Sequence, residues 1–323
     1  MTMKSFALLR RKGSAYFFTL WDTTMEKAAP SEVKLGIIGG DLRALTAARE
    51  LAARGFETAL YGIDTCAGEC GNVTKCAELA SAVRGASAVI LPLPAMADDE
   101  RIRCPLTKKT ILLQQVLAQM QPHQLLLGGR VSPALRRQAQ ASSVRLFDYY
   151  EREELKIANA VPTAEGALSV AMSEVPHTIN GARCLVIGYG RLGRVLTRLL
   201  AALGAKVCVS ARRDEDLAWI RTIGCEGVHT EDLDAVLHRF DLIFNTVPAP
   251  VLDAHALRQI RPGVPVIELA SAPGGIDLES AKALGTKTVF ALSLPGKCAP
   301  VTAGRIIEES ILHILAAEGV VQP

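Results

Sequence analysis

From Val33 onward, short apolar runs alternate with longer segments whose apolar residues recur at helical spacing. VKLGIIGG reads as a strand, DLRALTAARELAARG as an amphipathic helix and ETALYG as the next strand. KCAELASAVRG follows as a helix and ASAVILPLP as a strand, then a polar loop runs from Asp98 to Pro105. The helical ILLQQVLAQM, the strand QLLLGGR and the helical SPALRRQAQAS complete a first unit. Strands that alternate with helices in this way predict a parallel, doubly wound sheet.

A second unit repeats the plan. VPTAEGALSVAMSE reads as a helix linking the two units, its start marked by Pro162 and Thr163. RCLVIG, AKVCVSARR, EGVHT, DLIFNTVP, PVIELAS and TKTVFALS read as strands. LAWIRTIG and DLDAVLHRF read as helices, APGGID and LPGKCAP as loops, and TAGRIIEESILHILAAE as a closing amphipathic helix. The expectation is an α/β chain of two Rossmann-like doubly wound parallel-sheet domains with an interdomain cleft, the C-terminal helix packing near the linker. Its expected divisions are an N-terminal extension over 1–34, a substrate-side domain over 35–155, a dinucleotide-binding domain with its linking helix over 156–300, and a C-terminal helix over 301–323.

The second unit carries the chemistry. Its first strand ends in Gly188, Gly190 and Gly193 and opens onto the helical RVLTRLLAALG, which is the Gly-x-Gly-x-x-Gly dinucleotide fingerprint in its strand, turn and helix context. The first glycine allows the tight turn, the second lets phosphate approach the backbone, and the third lets helix and strand pack closely. Tyr189, Arg191 and Leu192 complete the loop, and the helix N-terminus presents amide N–H groups to the pyrophosphate. About twenty residues on, where an NAD site usually places an acid for the ribose 2′-hydroxyl, the chain has Ser210, Ala211, Arg212 and Arg213. A missing carboxylate with a hydroxyl and two guanidinium groups favours a 2′-phosphate, hence NADP, with NAD possible.

The first unit has Gly36, Gly39, Gly40 and Asp41 at the equivalent turn. Their spacing is wrong for the fingerprint, and Asp41 puts negative charge where a pyrophosphate would lie. This unit is expected to hold something other than a dinucleotide.

Composition adds limits. The 323 residues are 49% hydrophobic and 21% charged with net charge +3, ordinary for two globular domains. The cations are dispersed without an aromatic-and-basic motif, so nucleic acid is not an expected partner. Cys66, Cys70 and Cys76 show no CxxC spacing or partnering His pair, so no metal is expected and the eight cysteines read as reduced thiols of a cytoplasmic protein. Cys184 and Cys208 fall on strands as small hydrophobes, and Cys298 is the one near a candidate site. No run of eighteen apolar residues is present to span a membrane. Residues 1–34 lack a sustained apolar core and a small-residue cleavage site, and Met25 restarts the chain, so this segment reads as a loosely attached arm and not as a signal peptide.

In open α/β sheets ligands lie beyond the carboxyl ends of the strands. On that rule Thr246, Val247 and Pro248, Ala270 to Gly275, and Leu294, Pro295 and Lys297 face the cofactor and the cleft. These loops also carry a family likeness. The segments DYYEREELKIANAVPTAEGAL, LVIGYGRLGRVL, NTVP, ELASAPGGID and LPGKCAPVTAGRII, in that order, resemble the larger, dinucleotide-binding subunits of dipicolinate synthase from endospore-forming bacteria, from about Gly36 to the end. The resemblance implies a two-subunit enzyme of the mother-cell cytoplasm, partnered by a smaller flavoprotein-like B subunit. It implies oxidation of a dihydrodipicolinate-level intermediate of the lysine branch to pyridine-2,6-dicarboxylate during sporulation, with a nicotinamide cofactor.

Hydride removal from a dihydropyridine ring gives an aromatic product, so the step needs positioning more than a strong base. A dicarboxylate needs cationic and hydroxyl donors. The candidates are Lys297 with Ser271 and Thr302 in the second unit, and Arg130, Ser132 and Thr107 in the first, with Glu165 at the expected start of the linking helix as acid/base. The rival class, 2-hydroxy-acid dehydrogenases, uses a His paired with a carboxylate in the loop near the last strand. Here that loop is LPGKCAPVTAG, while His255 and His313 lie in helical segments. A dinucleotide-binding regulatory module is the non-enzymatic alternative.

Overall fold

The computed structural model describes residues 32–64 and 72–321. The N-terminal extension and the positions of Cys66 and Cys70 therefore lie outside the described residues. The first sheet holds β1 (Lys34–Ile38), β2 (Glu57–Tyr61), β3 (Val73–Lys75), β4 (Ala88–Ile90), β5 (Leu125–Gly128) and β6 (Arg145–Asp148). Its order is β3-β2-β1-β4-β5-β6, every pair parallel. Four helices connect these strands: α1 (Leu42–Ala53), α2 (Leu79–Val83), α3 (Leu113–Leu117) and α4 (Pro133–Ala141).

The long α5 (Glu153–Glu174) leads into the second sheet, made of β7 (Arg183–Ile187), β8 (Lys206–Ala211), β9 (Glu226–His229), β10 (Leu242–Asn245), β11 (Val266–Glu268) and β12 (Thr288–Phe290). The order β12-β11-β10-β7-β8-β9, again all parallel, repeats the first. Between its strands lie α6 (Arg191–Ala202), α7 (Asp214–Thr222), α8 (Leu233–Val236), α9 (Ala254–Arg258) and α10 (Leu278–Leu284), and after them come α11 (Leu294–Cys298) and α12 (Pro300–Ala317). Both sheets are covered on two faces, so their central strands are continuous apolar runs such as LLL in β5 and CLVI in β7.

Three departures from the predicted pattern have tertiary causes. The linking helix begins at Glu153, not at Pro162, which sits buried in its interior. The ring leaves the Ala158 carbonyl without its i+4 donor. Just beyond it Thr163 Oγ1 donates to the Asn159 carbonyl at 2.6 Å, and packing of α5 against α6, α11 and α12 outweighs the local break. Glu165 is accordingly mid-helix and exposed, not at a helix start. Second, the expected loop at Leu294 is a helical turn, with Pro295 in its first turn and Leu294 and Pro295 buried. Third, the C-terminal helix touches the linker α5 but lies chiefly along α1 of the first unit. Ile307, Ile311 and Leu315 enter the first unit's core there. A Cβ on Gly304 would stand 2.5 Å from the Thr46 Cβ, so the two helices approach at a distance only glycine permits.

Candidate dinucleotide site and interdomain junction

The carboxyl edges of the two sheets converge. Arg191, first residue of α6, ion-pairs Glu153 in the first turn of α5, and Gly296 of α11 lies against the Arg43 guanidinium near the start of α1. Each fingerprint glycine has a separate geometric reason. Gly188 has φ +97°, and a Cβ there would come within 2.7 Å of Thr246 Oγ1 and Val247 Cγ2. A Cβ on Gly193 would stand 2.1 Å from the Gly188 carbonyl oxygen. Gly190 is different: a Cβ there meets nothing within 4 Å, and as the N-cap of α6 it offers no side chain to the first helical amides. An open approach and uncapped N–H donors are what a pyrophosphate requires, so the residues present fit a dinucleotide.

The walls of the cradle are held by one buried acid. Glu268, 2% exposed at the end of β11, accepts from Asn245 Nδ2 at 2.9 and 3.0 Å, from Ala270 N at 2.9 Å and from Gly275 N at 3.1 Å. Asn245 in turn donates to the Val247 carbonyl and accepts from Val247 N, both at 3.1 Å. The Thr246–Pro248 turn and the Ala270–Gly275 turn are thereby fixed to each other. Thr246 Oγ1 ties the first of them to β7 by donating to the Ile187 carbonyl at 2.8 Å. Sequence pattern points to the turns but not to Asn245 and Glu268, because a polar residue at the end of an apolar strand carries no mark of its partners.

At the ribose end, Ser210 is fully buried with its hydroxyl lacking a partner among the described residues, so it is not a surface ligand. Arg213 is already engaged by Asp216 at 2.9 Å and Glu215 at 2.6 Å, and Asp216 also receives Arg194 at 3.0 Å. Arg212 is exposed and, among the described residues, without a partner. Tyr189 lies under the Arg194 guanidinium, 5.0 Å from it, and Leu192 packs against the core.

The remaining candidates divide. Lys297 is exposed on α11. Glu165 is exposed on α5 beside Gly166, the buried residue at which α11 packs: a Cβ on Gly166 would stand 2.9 Å from Leu294 Cβ and 3.0 Å from Cys298 Sγ. Leu294 and Pro295 themselves are buried, Leu294 in the second unit's core, so they support the junction instead of lining it. Ala270 is buried, Ser271 exposed and Thr302 half-buried in the first turn of α12. Ser132 is the N-cap of α4, its hydroxyl accepting from Leu135 N at 3.1 Å. Thr107 donates to Asp64 Oδ2, just past β2, and accepts from Lys109 N at 3.1 Å, so its hydroxyl ties two loops together. Arg130 is exposed at the carboxyl end of β5 with φ +54°.

The first unit's turn is closed by its own chain. Gly39 N donates to the Tyr61 carbonyl at 2.7 Å, Gly40 N donates to the Arg103 carbonyl at 2.9 Å, and a Cβ on Gly39 would stand 2.3 Å from Cys104 Sγ. Asp41 caps α1 and pairs with Arg43 at 2.8 Å. No room for a pyrophosphate is left. Burial pushes the Cys184 and Cys208 thiols up to about 12, which fits their reading as small core hydrophobes. Among the described residues no cluster of metal-binding side chains occurs, and no helix is long and apolar enough to cross a membrane.

Residues 34–150 match the family of N-terminal domains from the dipicolinate synthase A protein. Residues 151–279 match the NAD binding domain of the D-isomer specific 2-hydroxyacid dehydrogenase family. The dipicolinate synthase A protein of Bacillus subtilis is 31% identical over 285 residues, 88% of this chain and 96% of that protein. The chain belongs to the dipicolinate synthase A family. The crystal structure of the Bacillus halodurans family member superposes with TM-score 0.82 at 33% identity, covering 89% of this chain and 99% of that one. The Bacillus subtilis crystal structure gives 0.82 at 30% identity, covering 91% and 99%. D-lactate dehydrogenase from Escherichia coli shares the fold, with TM-score 0.59 at 14% identity over 89% of this chain and 97% of that one. The second unit is thus a dehydrogenase-type NAD-binding domain, and a nicotinamide dinucleotide is its cofactor class.

Proposed function

We propose that this chain is the nicotinamide-dependent component of a dipicolinate synthase, oxidising a dihydrodipicolinate-level intermediate to pyridine-2,6-dicarboxylate in the mother-cell cytoplasm together with a flavoprotein-like B subunit. The observation that carries the reading is the single family match running through both units and 96% of the relative's length. NADP, when bound, supplies the hydride acceptor. Gly188, Gly190 and Gly193 with the α6 amides hold its pyrophosphate, and Arg212 favours a 2′-phosphate over a bare hydroxyl. Thr246, Val247, Pro248 and Ala270, their backbone fixed through Asn245 and Glu268, would line the rest of the cofactor site. Lys297 on α11 adds a cation beside one substrate carboxylate. Glu165, exposed on the linking helix α5, receives the ring proton on a carboxylate oxygen as the ring becomes aromatic. Conversion of a dihydropyridine to a pyridine removes one hydride and one proton, and Glu165 would take the proton.

A hydroxy-acid oxidation would need a histidine beside the reacting oxygen. The described histidines paired with acids are elsewhere: His229, ending the edge strand β9, is 3.0 Å from Asp214, His255 is 3.6 Å from Asp234 on the α8–α9 surface, and His313 of α12 is 3.5 Å from Glu154. The test is to combine the purified chain with its B subunit, NADP and freshly prepared intermediate, and to follow pyridine dicarboxylate absorbance. Formation of the product that requires both chains and the cofactor is the expected result. Absence of product with turnover of a 2-hydroxy acid would replace the reading.

A further inference from the structure

We propose that Arg103 and Arg130 form a two-point clamp that selects a substrate with two carboxylates. The proposal rests on the dicarboxylate reading above and extends it to residues that set specificity. Across the carboxyl edge of the first sheet the backbone forms a hydrogen-bonded row: Gly40 N to Arg103 O at 2.9 Å, Arg103 N to Ala95 O at 3.1 Å, and Ala95 N to Gly129 O at 2.7 Å. Chains paired in this way lie about 4.8 Å apart, so Arg103 and the Gly129–Arg130 turn are rooted about 10 Å from one another. Two long side chains from roots at that spacing can converge on one small dianion.

Both arginines are exposed, and neither has a hydrogen bond or ion pair from its side chain among the described residues. Their neighbours are occupied: Arg43 is held by Asp41 and Arg101 by Asp98. Arg130 is also held where it stands. Its φ of +54° is a conformation that side-chain-bearing residues rarely adopt, and Asp148 maintains it by accepting from Arg130 N at 2.9 Å and Val131 N at 2.7 Å. Asp148 Oδ1 accepts from Tyr150 N as well, at 2.8 Å, and three residues later Glu153 meets Arg191 of the nucleotide loop. The clamp is therefore tied by backbone and ion pair to the dinucleotide cradle, with Asp148 as its positioning residue.

Guanidinium groups bind carboxylates through paired N–H donors, so a ligand with two carboxylates uses both arginines and a ligand with one uses either. The experiment is calorimetric titration of the full chain, in calcium-free buffer with NADP present, using pyridine-2,6-dicarboxylate and pyridine-2-carboxylate as probes. Wild type is expected to bind the dicarboxylate at least about tenfold more tightly than the monocarboxylate. Arg103→Gln and Arg130→Gln each keep the backbone row, and each should abolish that preference while leaving NADP affinity unchanged. If either Gln variant melts early, the matching Lys variant decides: it should show a preference between those of wild type and the abolished state. A preference untouched by these substitutions overturns the clamp and leaves the dicarboxylate reading standing. Failure of wild type to bind the dicarboxylate overturns both.

Discussion

Arg191 Nε lies 2.5 Å from Glu153 Oε1, joining the first residue after the Gly190 cradle to the first turn of the linking helix. The guanidinium holds the Glu153 carboxyl below the usual carboxylate range, so the pair is ionised at neutral pH. Both groups are exposed and screened by salt, and in the proposed cofactor complex a pyrophosphate would compete for the same cation. Glu153→Gln should therefore tighten dinucleotide binding by about two- to fivefold at low ionic strength, a gain that shrinks at about 0.5 M salt. NADPH fluorescence titration measures it, and weaker binding would mean that Glu153 aims Arg191 at the phosphate.

Arg212 and Arg213 should differ although they are adjacent. Arg213 is shared with Asp216 and Glu215, whereas Arg212 has its donors unused. Arg212→Ala should weaken NADP by about tenfold or more and leave NAD nearly unchanged, with a smaller effect from Arg213→Ala. Equal loss for both cofactors in the Arg212 variant would remove it from the 2′-phosphate.

The glycines separate folding from binding. Gly190→Ala adds a methyl into open space, so the melting temperature should be near wild type while dinucleotide affinity falls sharply. Gly193→Ala drives a methyl into the Gly188 carbonyl and should destabilise the fold by about 2–3 kcal/mol. Denaturant unfolding of the cofactor-free variants distinguishes the two, and a Gly190 variant that binds normally would displace the pyrophosphate from this loop.

Glu308 gives the second unit's last helix a pH-dependent seat on the first. It is 2% exposed against α1, with Arg54 Nε 2.5 Å from Oε1 outside hydrogen-bond geometry and Nη2 donating to Oε2 at 3.4 Å. Burial pushes its carboxyl up to about 7 from an ordinary 4.5, more than Arg54 pulls it down, with Glu50 and Glu309 adding to the rise. The folded state binds the proton more tightly than the unfolded one, so stability is present at acid pH and lost as pH rises between about 4.5 and about 7. That difference corresponds to at most about 3 kcal/mol. Relative to wild type, Glu308→Gln should gain stability across this window and be no less stable above it. Thermal melts of both proteins at intervals from pH 5 to pH 8 test this, and parallel curves would contradict it.

The apolar rhythm of the chain and three glycines determined its class: alternating strands and helices in two units, and a dinucleotide turn in the second, are read from local periodicity and glycine spacing. The first unit's departure from the fingerprint was legible in its glycine spacing and Asp41, but the closing of its turn by Tyr61, Arg103 and Cys104 was not. Long-range contacts decided the rest. Pro162 stays inside α5 because three helices pack around it, Leu294 becomes a helical core residue because Gly166 leaves room for it, and α12 returns to α1 because Gly304 fits Thr46. Glu268 holding two turns, Arg213 consumed by Asp216 and the row joining Arg103 to Gly129 are likewise pairings between distant segments. A one-dimensional pattern records which residues prefer burial or helix. Only the folded chain decides which donor meets which acceptor, because that choice depends on backbone brought together across the sheet.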